Sequence, residues 1–173
     1  MIIQIQTGIF NAVNVEMARA IIETAEEMNA PVMVGTAEVL LPAMELERVA
    51  EYLIPMAKKA KVPVCVHYDH GLTFEKCMEA LKLGFTSVMY DCSTEIYEEN
   101  ADKVAQMVKI CHAIGVTVEG ELGHVGDKAG KAGIEKGLAA GAKTMMGLIP
   151  YEIEAMKAVV RDKITLFGST NRA

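Results

Sequence analysis

Apolar residues in this chain follow two alternating rhythms: short, nearly continuous runs, and longer stretches in which they recur at three- or four-residue spacing. The runs at 32–34, 62–66, 87–90 and 116–122 read as strands covered on both faces, and 9–13 as an earlier strand. Between them, Met17, Ile21, Ala25 and Met28 mark one face of a helix with Asn14 as its N-cap. A second helix carries Leu46, Val49, Ala50, Leu53 and Ala57 on one face. Pro55 is expected to divide it, because an interior proline removes a backbone bond and crowds the preceding turn. Further helices, over 73–83 and up to Ile114, are expected to stop at Gly84 and Gly115. The words Ala30-Pro31-Val32-Met33-Val34 and Val62-Pro63-Val64-Cys65-Val66 stand 32 residues apart, a weak internal repeat of one βα unit. Strands alternating with helices predict an α/β fold with a parallel sheet.

Past Leu122 the rhythm breaks. Residues 123–133 hold four glycines and three charges without an apolar period and read as a loop. Helices over 134–140 and 151–161, with a short strand over 144–146, complete the expected order. With 51% hydrophobic residues in 173, the chain can bury a core, which excludes a disordered polypeptide. Seventeen basic against 23 acidic residues, a net charge of −6, supply no field for phosphate backbones or anionic membranes, so neither nucleic acid nor membrane is expected as a partner. No apolar run approaches the roughly 18 residues of a membrane span, and the start lacks a charged leader, so the cytoplasm is the expected location. Cys65, Cys77, Cys92 and Cys111 lie in apolar stretches without Cys-x-x-Cys spacing and read as small core residues.

Polar residues at the C-terminal ends of parallel strands carry the most information, because those ends face the ligand in α/β folds. Asn11, Thr36, Asp69, His70 and Asp91 stand at successive ends, and Glu119 and Glu121 share one side of the last run. Converged on one mouth, His70, Asp69, Asp91 and Glu121 offer the imidazole and carboxylate donors that suit zinc, with a carboxylate left to move a proton. The competing reading is a strand-capping turn in which Asp69 bonds nearby amides. His67 points to a different depth and reads as a supporting residue, His112 as a structural cation at a helix C-terminus. His124 is open between the two.

Gly8-Ile9-Phe10-Asn11-Ala12-Val13-Asn14, Val66-His67-Tyr68-Asp69-His70-Gly71, Gly84-Phe85-Thr86-Ser87-Val88-Met89-Tyr90-Asp91 and Val118-Glu119-Gly120-Glu121-Leu122-Gly123 resemble, in order and spacing, successive motifs of the class II, zinc-dependent ketose-bisphosphate aldolases. Residues 156–170 resemble the end of that family. The resemblance implies a (β/α)8 TIM-barrel fold. A full barrel takes about 250 residues, so an incomplete barrel of about six parallel strands is expected here. The implied organisation is one aldolase-like domain over 1–173, with five βα units in 1–124, a Gly-rich loop over 125–133 and a C-terminal segment over 134–173.

The implied activity is reversible aldol cleavage of fructose or tagatose 1,6-bisphosphate to dihydroxyacetone phosphate and glyceraldehyde 3-phosphate. The resemblance makes Asp69 the catalytic acid/base, His70, Glu121 and Asp91 residues of the Zn2+ site, and Asn11 and Thr36 substrate-binding residues. The family's two later zinc histidines, one in a His-Gly-Gly-Ser-Gly motif, have no counterpart, and Asp127 is the only acid of the loop 124–130. The chain is therefore expected to be either a shortened aldolase or one lacking a central segment. The alternative is a non-catalytic module that binds a sugar phosphate or a partner. An open sheet exposes pairing edges, so a homo-oligomer is expected.

Overall fold

The computed structural model describes residues 8–122, 144–148 and 165–168. The chain forms two compact units, Met1–Glu121 and Leu122–Ala173. In the first, β1 (Ile9–Asn11), β2 (Val32–Ala37), β3 (Val64–Gly71), β4 (Ser87–Tyr90) and β5 (Thr117–Glu119) form a parallel sheet in the order of the sequence. Helices α1 (Val15–Glu27), α2 (Leu46–Lys59), α3 (Phe74–Leu83) and α4 (Tyr97–Ala113) connect them. In the second unit, β6 (Thr144–Leu148) and β7 (Thr165–Gly168) pair in parallel. The loop expected over 123–133 and the helices over 134–140 and 151–161, with His124 and Asp127, lie outside the described residues.

Local chemistry accounts for the helix boundaries. The Asn14 side chain accepts from Met17 N at 2.8 Å, and Thr73 Oγ1 from Lys76 N at 3.2 Å, so each occupies one of the orphan donors of a first turn. Gly84 ends α3 with φ +100°, a conformation costly for any residue with a side chain. One face of each helix is buried: Ala18 and Ile22 on α1, Leu46, Val49 and Leu53 on α2, Cys77 and Ala80 on α3, Met107 and Cys111 on α4. They cover Val34, Val66, Tyr68 and Val88 of the inner strands, and Tyr68 meets Phe85 edge-to-face at 6.1 Å.

Pro55 does not divide α2, which runs unbroken from Leu46 to Lys59 with the proline inside it. Leu53 is fully buried on one side of Pro55, and Met56 and Ala57 pack against the core on the other, so tertiary contacts hold both halves in line. A short 3-10 turn at Glu38–Leu40 has no counterpart in the apolar pattern. All four cysteines are free, three of them buried. Among the described residues no helix is long and apolar enough to cross a membrane.

Candidate metal and acid-base site at the strand ends

The site is built on alternate strands. Asn11 closes β1, Asp69 and His70 stand near the end of β3, and Glu119 and Glu121 lie at and just beyond the end of β5. Asn11 Nδ2 donates to Asp69 Oδ2 at 2.9 Å, although β2 runs between their strands. Gly35 permits this. It pairs with Asn11 on one side and His67 on the other, and a Cβ there would stand 2.3 Å from the His67 carbonyl oxygen.

Strict alternation would send the neighbours Asp69 and His70 to opposite faces. Between Tyr68 and Gly71 the β3–β4 register shifts, so that Asp69 and His70 together oppose Met89, and His70 adopts φ +48°. This bulge, with a non-glycine residue in the left-handed region, re-aims the imidazole. Its Nδ1 lies 2.7 Å from Asp91 Oδ2 and 3.8 Å from Glu121 Oε2. Asp91, just past β4, is held in turn by Ser93 N, which donates to its other oxygen at 3.0 Å. The chain at Glu121 is fixed by the buried Asn100 of α4, whose side chain donates to the Glu121 carbonyl at 2.8 Å.

Ligand atoms of His70, Asp91 and Glu121 all lie within 4.8 Å of one another. Partial burial opposes charge on His70, but the Asp91 hydrogen bond and the carboxylates of Asp69, Asp91 and Glu121 outweigh it and raise its pKa. Burial likewise opposes charge on Asp91, and the bonds from Ser93 and His70 overcome it, keeping its pKa low. Deeper in the sheet, burial and the charge of Asp69 lift the Glu119 carboxyl to about 6. One imidazole and two carboxylates form a donor set that fits a borderline divalent cation such as zinc.

Five of the six residues singled out from the sequence, Asn11, Asp69, His70, Asp91 and Glu121, are gathered here. Thr36 is not. It pairs with Tyr68 in the β2–β3 register and is buried on that face, whereas Gly35 and Ala37 pair with His67 and Asp69. Two contributors were missed. Glu38, in the 3-10 turn, accepts from Tyr68 Oη and Leu72 N, each at 2.8 Å, and so fixes the end of β3. Ser87 meets His67 inside the sheet. Neither residue type at its position carries a signal in a single sequence.

A parallel α/β sheet with histidine and carboxylates gathered at its strand ends places the chain with the (β/α)-barrel proteins. The family described as class-II fructose-bisphosphate aldolase matches residues 4–146, and the chain belongs to that family. A fructose-bisphosphate aldolase of Thermus caldophilus is 41% identical over 147 residues, covering 84% of this chain and 45% of the relative. One from Helicobacter pylori is 38% identical over 148 residues, covering 85% and 46%. Among solved structures, the YdjI aldolase of Escherichia coli K12 is similar with a TM-score of 0.72 at 25% identity, over 93% of this chain and 73% of that one. The chain thus spans about half the length of the curated relatives it matches.

Proposed function

We propose that the chain carries the acid-base and metal-binding half of a class II aldolase site acting in the cytoplasm on fructose or tagatose 1,6-bisphosphate. The observation that carries this reading is the convergence of His70, Asp91 and Glu121 within 4.8 Å, beside an Asp69 already gripped by Asn11. His70, Asp91 and Glu121 would hold zinc, which when bound supplies a Lewis acid for the ketose carbonyl. Asp69 takes the proton of the C4 hydroxyl as the C3–C4 bond breaks. The C4 oxygen becomes the aldehyde oxygen of glyceraldehyde 3-phosphate, and the bonding pair stays on C3 of the three-carbon half, which takes up a proton from solvent to become dihydroxyacetone phosphate. In the condensation direction Asp69 returns that proton. Asn11 supports the step by fixing Asp69 Oδ2.

Zinc content of the purified chain and turnover of fructose 1,6-bisphosphate on the same sample test the proposal. Near-stoichiometric zinc with turnover, both lost in His70→Ala, is the expected result. A folded sample with neither zinc nor turnover would replace it with the second reading, a sugar-phosphate-binding or interaction module. That reading draws on the single histidine in the donor set among the described residues and on the half-length match to the relatives.

A further inference from the structure

His67 lies fully buried in β3, and its two ring nitrogens stand in unlike surroundings. Nδ1 is 2.8 Å from Ser87 Oγ on the adjacent strand β4. Nε2 is buried and has no hydrogen-bond partner among the described residues. It faces Asp69 Oδ1 at 3.8 Å and Glu119 Oε2 at 3.7 Å. Burial holds the imidazole pKa down to about 4, so near neutral pH the ring carries a single N–H.

Two tautomers are available. With the proton on Nδ1, that nitrogen donates to Ser87, and the bare Nε2 lone pair faces two carboxylate oxygens in a dry site. With the proton on Nε2, the Ser87 hydroxyl donates to Nδ1, and the N–H dipole points its positive end at both carboxylates. Low local dielectric magnifies the difference, and it favours the second arrangement. Both gaps exceed hydrogen-bond length, so the contact is a directed electrostatic one.

We propose that Ser87 and His67 form a positioning pair for Asp69: the facing carboxylates set the Nε2–H tautomer, the Ser87 hydroxyl donates to Nδ1 and anchors the ring, and the Nε2–H steadies Asp69 Oδ1 while Asn11 holds Oδ2. What the steadied carboxylate then does rests on the aldolase reading above; the tautomer does not.

Long-range 1H–15N correlation spectra of the full, metal-free chain at neutral pH test the tautomer directly. The expected spectrum shows His67 protonated at Nε2 only. Protonation at Nδ1 in the wild type, or a doubly protonated ring, overturns the proposal. With zinc and fructose 1,6-bisphosphate, His67→Phe is expected to lower kcat by about 10- to 100-fold with KM unchanged. His67→Gln places an amide near the Nε2 position and should recover most of that loss. Equal loss in both variants at equal thermal stability would reduce His67 to a packing residue and overturn the proposal. Should His67→Phe fail to fold, Ser87→Ala carries the same kcat comparison. A wild type without turnover removes the aldolase reading, and the spectra still decide the pair.

Discussion

At the scale of single residues, the site is a set of groups with opposite demands placed side by side. His67 must stay neutral, because its ring is fully buried and faces no partner that compensates a positive charge at hydrogen-bond distance. Asp69, His70 and Glu119 are the titratable groups around it. An unfolded chain takes up a proton at this histidine as pH falls through 6.5, whereas the folded one resists until about 4. The contribution is therefore complete above 6.5 and is lost on acidification, at a scale on the order of 3 kcal/mol. Denaturant unfolding of the metal-free protein at pH 7.5 and 4.5 should show a larger loss for wild type than for His67→Gln. Equal losses would contradict it. Gly35→Ala forces a Cβ to within 2.3 Å of the His67 carbonyl oxygen, where only backbone movement can relieve the clash. A destabilisation of about 3 kcal/mol or more is expected in the same assay. His70, Asp91 and Glu121 could be picked out from the sequence because each is a polar residue closing or following an apolar run. The Ser87–His67 contact and the Asn11–Asp69 bond could not, since both depend on strand register.

At the scale of elements, the apolar rhythm and the caps located four helices and five strands to within a few residues. Asn14 and Thr73 are caps by their chemistry, and a glycine with positive φ ends α3. The pattern failed at Pro55, where proline chemistry argued for a break that packing forbids. It failed again at residues 69 and 70, where the bulge cancels the period of two on which facing arguments rest. Pro55→Ala restores an amide donor inside α2 and removes the ring's crowding of the turn before it. The variant should be more stable by about 1–2 kcal/mol, the gain reduced by the greater freedom of the unfolded chain. A lower melting temperature would mean that the ring itself makes packing contacts that outweigh the missing bond.

At the scale of the molecule, the five-stranded sheet ends, among the described residues, at β1 and β5. Phe10 on β1 is 51% exposed, and Val39, Leu72 and Ile96, near the strand ends, are more exposed still. Sheet edges and exposed apolar side chains favour association. Sedimentation at micromolar concentration should therefore report a dimer or larger species, and a monodisperse monomer would count against it. The parallel α/β class was legible because alternation of element types is a property of the whole string.

The bond from Asn11 to Asp69 joins residues 58 positions apart, and Glu121 completes the cluster from the far end of the same unit. Such a site has high contact order: loop-closure entropy must be met before any of its contacts form. During synthesis, the first hundred residues can emerge and pack helices while the cluster still lacks a ligand. The proposed zinc site is thus completed late, and zinc affinity gained with chain length would step up only when β5 docks.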